Sequence, residues 1–85
     1  MRVTIDGQEQ DLPVTLKRGT ALQGAQLYVG DRQVTRVTHS LSDDIPVIAQ
    51  VDELLIEIDP HDFYAIEGMD RDWQPGDQPE LQAGI

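Results

Sequence analysis

The chain has 85 residues, 39% of them hydrophobic, with no cysteine and a formal net charge of −10. That length holds one domain with a small core, and the lack of cysteine excludes disulfide staples and thiol chemistry. The charge opposes direct binding to nucleic acid or to anionic lipid.

The charge is also unevenly spread. Residues 1–39 carry five basic groups (Arg2, Lys17, Arg18, Arg32, Arg36) against four acids. Residues 40–85 carry twelve acids against Arg71 alone. Segregation of this kind bears on partners and encounter rates rather than on fold.

In chain order, Val3 and Ile5 alternate with polar neighbours, the period-2 pattern of a half-buried strand. Asp6-Gly7 follows, a dipeptide suited to a type I′ hairpin because both central residues need positive φ. Leu12, Val14 and Leu16 alternate next, and Pro13 makes that strand an edge or a bulge because it has no N–H to donate. Lys17 to Thr20 reads as a turn.

The stretch 21–28 supports two readings. Thr20 and Gln23 have capping-box spacing for a helix, whereas Leu27-Tyr28-Val29 favours a strand at the C-terminal end. The strand is preferred; the alternative is an α+β chain with a helix at 21–28. Gly30-Asp31 then turns into a β-rich run from Gln33 to His39. There Val34 and Val37, three apart, face opposite sides unless a bulge intervenes.

Ser42-Asp43-Asp44 is a turn whose side chains can bond their own backbone. Ile45, Val47, Ala49 and Val51 form one alternating face, Asp52-Glu53 turns the chain, and Leu54, Ile56 and Ile58 form the next. Asp59 is a good N-cap, Pro60 fits the first helical position, and Asp62 suits the helix dipole, so one short helical turn is predicted with Phe63 on the core. From Gly68 the composition becomes polar. The predicted fold is all-β: a single-domain barrel or sandwich of five to six short antiparallel strands over residues 1–69. Residues 70–85 read as an acidic, flexible C-terminal tail.

No catalytic signature is present: there is no G-x-S-x-G, no phosphate-binding G-x-x-x-x-G-K and no H-E-x-x-H. With sixteen acids, pairs of carboxylates arise without any need for acid–base catalysis, and no enzymatic activity is expected. Asp59-x-His61-Asp62 is the best metal candidate, but helix capping accounts for both carboxylates, so neither a metal nor another cofactor is expected. His39 is read as a partly exposed strand residue.

The remaining signal is the acidic surface. Asp43, Asp44, Asp52, Glu53, Glu57, Asp59 and Asp62 are predicted to form one negative face. Asp70, Asp72 and Trp73 supply an acidic arm with an aromatic anchor, unless Trp73 folds back over one end of the core. The expected partner is a protein with a basic surface, and the expected role is an inhibitor that blocks a nucleic-acid site by mimicking its charge. The alternative is a structural subunit of a multi-copy assembly such as a phage virion, in which the chain would form homo-oligomers. Met1 to Asp6 has no apolar h-region, no run approaches the roughly 18 apolar residues of a membrane span, and a cytoplasmic location is expected.

Overall fold

The computed structural model describes residues 1–19 and 24–77. In chain order these form β1 (Arg2–Ile5), β2 (Gln8–Asp11), β3 (Val14–Lys17), β4 (Gln26–Val29), β5 (Arg32–Gln33), β6 (Arg36–Thr38), β7 (Val47–Val51), β8 (Leu54–Ile58) and α1 (Pro60–Tyr64). All strand pairings are antiparallel. One sheet has the order β2-β1-β8-β7-β6 and the other β3-β4-β5.

The all-β reading holds, with two corrections. The strands form two open sheets and not a closed barrel, because the chain changes sheet twice. It leaves the first sheet at Leu12-Pro13, where proline cannot donate to a ladder, and the Pro13 carbonyl accepts instead from the Gly30 amide at 2.7 Å. It returns at Val34-Thr35. The Val34 amide still donates to Leu27 in the second sheet, while the Thr35 amide donates to Gln50 in the first, each at 2.8 Å. This switch buries Val34 and Val37 together without a bulge.

The second correction is strand number. Gln8–Asp11 has no apolar residue and is exposed throughout, so no hydrophobic period announces it. It forms because the Asp6-Gly7 turn, with φ of +53° and +78°, returns the chain alongside β1 in the register Ile5↔Gln8. The predicted turns at Gly30-Asp31 and Asp52-Glu53 likewise close two-residue hairpins, β4–β5 and β7–β8. Gln26–Val29 is strand, as preferred over the helix at 21–28; residues 20–23 lie outside the described residues.

The core draws on both sheets. Val3, Val37, Val47, Ala49, Val51, Ile56 and Ile58 of the first meet Leu27 and Val29 of the second, with Val34, Phe63 and Trp73 filling in. The period-2 reading of β7 and β8 is correct: Leu55 and Glu57 point outward. Ile45 was expected on the inner face of β7, but it precedes Pro46 and the strand, and is exposed. At α1 the Asp59 carboxylate accepts from the His61 amide at 2.8 Å, Pro60 opens the helix, and Phe63 is fully buried.

Residues 70–77 are packed against this core. Trp73 is 2% exposed and its indole N–H donates to the Asp77 carbonyl at 2.9 Å. The Gly76 amide donates to the Ala25 carbonyl at 2.8 Å, and the Ala25 amide returns a bond to Asp77 at 3.2 Å. On the other side the Gln74 amide takes the place of a neighbouring strand at the β6 edge. It accepts from the Val37 N–H at 3.0 Å and donates to the Val37 carbonyl at 2.6 Å. The segment therefore stitches β6 of one sheet to the start of β4 in the other. A boundary at residue 70 falls inside this packed structure, and residues 78–85 lie outside the described residues.

Candidate functional site

Asp43 and Asp44 project from the loop between β6 and β7. The loop is held from inside by Ser40, whose hydroxyl lies against the carbonyls of Ser42 and Ile45 and also accepts from the Ser42 amide. Ser40 is 5% exposed, and its hydroxyl ties the loop backbone to itself by short-range side-chain hydrogen bonds. The Tyr64 hydroxyl takes the Ser40 amide at 3.3 Å and meets Nδ1 of His39 at 2.8 Å. The other ring nitrogen of His39 donates to the Trp73 carbonyl at 2.6 Å, since a carbonyl can only accept. In the neutral ring, Nδ1 then accepts from Tyr64. His39 thus ties the acidic loop, α1 and the Trp73 segment together, and it is half-buried just beyond β6.

The acids of the second half divide between two ends of the five-stranded sheet. Asp43, Asp44, Asp59 and Asp62 lie at the end where β7 begins and β8 finishes. His61 stands between two of them, with Nε2 3.7 Å from Asp43 Oδ2 and Nδ1 3.3 Å from Asp59 Oδ1. Glu57 adjoins this group on the outer face of β8, opposite Thr4 and Ile48. A groove of about 570 Å³ runs across that face, lined among others by Arg2, Glu9, Glu57, Asp59 and Asp62. Glu9 was not among the predicted site residues, although the Asp6-Gly7 hairpin carried the signal: its register sets Glu9 opposite Thr4.

Asp52 and Glu53 are at the far end of β7. Five strand residues at about 3.3 Å each separate them from the first group by about 17 Å, roughly twice the screening length of physiological salt. The single face expected from sequence is therefore two patches, because a hairpin turn and the loop entering its first strand lie at opposite ends of that strand. Asp72 is exposed and Asp70 half-buried, on the turn leading into Trp73. Trp73, read from sequence either as a partner anchor or as an aromatic folded back over the core, is in the core.

Among the described residues no Lys or Arg forms an ion pair with any carboxylate from Asp43 to Asp77. Arg71 lies over the Tyr64 ring at 4.5 Å, and Lys17 over Tyr28 at 4.7 Å. No group of three or more His, Cys, Asp or Glu among the described residues could hold a metal, and no helix there is long and apolar enough to cross a membrane. Such exposed, uncompensated carboxylates can accept hydrogen bonds from Lys and Arg and attract a cationic surface from a distance. Comparison with protein-family models, with curated proteins and with solved structures gives no match in any of the three.

Proposed function

We propose that the chain is a non-catalytic acidic binding module. It docks the carboxylates at the Asp43–Asp62 end of its sheet onto a basic surface of a partner protein and competes there with nucleic acid. The observation that carries this reading is the absence, among the described residues, of a Lys or Arg partner for these carboxylates, on a loop and helix start that internal hydrogen bonds hold in place. Fixed charges keep more of their attraction than mobile ones, because less side-chain and loop freedom is lost on docking.

A displacement assay tests the proposal. Cell proteins bound to immobilised DNA are challenged with this protein, and with polyglutamate of equal charge as the reference. The protein should release a defined subset that polyglutamate leaves bound. The Asp43→Lys, Asp44→Lys, Asp62→Lys variant should lose that effect, and Asp52→Lys, Glu53→Lys should keep most of it. Release that matches polyglutamate, or that survives the reversals in about 1 M salt, sinks the reading.

A further inference from the structure

A second concavity lies at the opposite end of the molecule from the acidic loop, where the hairpin ends of the two sheets diverge. Its volume is about 400 Å³, within the range of small-ligand sites. Val29 of the second sheet and Ile56 of the first form its floor, at 3% and 1% exposed. Ile5, Leu12 and Leu54 form the walls and are only half-buried. Aliphatic side chains from both sheets thus converge here, closing over Val29 and Ile56 but leaving the half-buried walls with apolar surface in the cleft. The cause is topological: the chain crosses between sheets at Leu12-Pro13, and the Asp6-Gly7 and Gly30-Asp31 turns are too tight to reach over the gap.

The lip of the cleft is charged. Asp6 and Asp31 project from those two turns, and neither forms an ion pair among the described residues. Arg32 shares the lip, leaving it one negative charge in excess, on a chain of formal charge −10. Apolar walls under a net-negative lip match a ligand with an apolar body and a single ammonium group. A second copy of the chain is a poor occupant, since each would bring the same large negative charge.

We infer that this inter-sheet cleft is a binding site for a small amphipathic cation, its apolar part against Ile5, Leu12 and Leu54 and its ammonium between Asp6 and Asp31. The site is independent of the acidic surface at the other end of β7, so either can fail without the other.

The test uses the 85-residue protein with two dyes that brighten in apolar sites, cationic auramine O and anionic anilinonaphthalene sulfonate. Auramine O should bind saturably and shift the amide resonances of Ile5, Gly30 and Leu54, and the anionic dye should bind far more weakly. Asp6→Asn with Asp31→Asn should weaken auramine O roughly three- to tenfold at low salt; asparagine tolerates the positive φ at position 6. Asp43→Asn with Asp44→Asn removes the same charge at the far end and should change affinity less than about twofold. Leu54→Ala should weaken binding about fivefold even in high salt, with Leu12→Ala as a second truncation should the first unfold the protein. Equal losses in the two charge-neutralised variants would show attraction to net charge alone. Equal binding of the anionic dye, unshifted cleft amides, or the same amides moving with protein concentration in the absence of dye would each overturn the assignment.

Discussion

Residues 43–62 and 70–77 are both acidic, yet the fold uses them in opposite ways. The first stretch keeps its carboxylates in water, with β7, β8 and α1 beneath them. The second, with Asp70, Asp72 and Asp77 around Trp73, is drawn onto the core by one indole, one glutamine amide and a pair of backbone hydrogen bonds. Net charge decides neither outcome. Each carboxylate in the packed segment can still face water, so its exclusion from the interior costs nothing, while Trp73 contributes a large apolar surface. What distinguishes the regions is whether an aromatic side chain and free edge groups are within reach.

The comparison breaks most directly at Trp73. Replacement by alanine should cost about 3–5 kcal/mol, a large part of the roughly 5–15 kcal/mol that holds a domain folded. Urea unfolding followed by circular dichroism measures it, and a loss below about 1 kcal/mol would mean that the segment contributes nothing to the core. Gly24 offers a second route to the same contact. A Cβ there would lie 1.8 Å from the Gly76 carbonyl oxygen, at a φ of +68°. Gly24→Ala should therefore cost about 2–4 kcal/mol and push residues 73–77 outward, seen as a red shift of Trp73 emission. Gly76→Ala, with φ of +98° but nothing within 4 Å, isolates the backbone strain and should cost less, about 1–2 kcal/mol.

Gln74 tests the polar half of the attachment. Gln74→Ala leaves the Val37 N–H and carbonyl without their partner and should cost about 1–2 kcal/mol. It also uncovers the β6 edge, and uncovered strand edges recruit other chains. Faster hydrogen exchange at the Val37 amide, with Trp73 emission unchanged, would separate this effect from loss of the indole contact. An unchanged exchange rate would mean that the glutamine does not guard the edge.

How much of this was legible depended on range along the chain. Val47 to Val51 and Leu54 to Ile58 declare their inner faces through period 2, and Asp6-Gly7 declares its turn through the φ values glycine and aspartate accept. Asp59, Pro60 and Asp62 declare the helix start within four residues. Contacts between distant segments are another matter. The sheet switch at Val34-Thr35 depends on Leu27 and Gln50, and the burial of Trp73 depends on groups around Ala25 and Val37. A fold-back of Trp73 is one of two readings of its polar window, but that window names neither Ala25 nor Val37 as what it would meet. Of the acidic site residues all but Asp70 are exposed, and their grouping needed the direction of β7, which composition does not carry.

The smallest effects belong to the exposed carboxylates, and they sharpen the contrast from the other side. Asp59 is the exception among them: as the N-cap its replacement by alanine should cost about 1 kcal/mol through the lost bond to the His61 amide. Asp43→Asn, Asp44→Asn, Asp52→Asn and Glu53→Gln should each shift stability by no more than about 0.5 kcal/mol. Their direction is informative, because these groups repel one another and have no Lys or Arg partner among the described residues. Neutralising them relieves repulsion, so the changes should lean towards stabilisation, and added salt should raise the melting temperature of the parent protein. The same salt series on a combined Asp43→Asn, Asp44→Asn, Asp52→Asn, Glu53→Gln variant should show a shallower rise. A melting temperature that falls with salt would mean that the carboxylates of residues 43–62 are held by favourable ion pairs. The two acidic stretches would then differ in degree and not in kind.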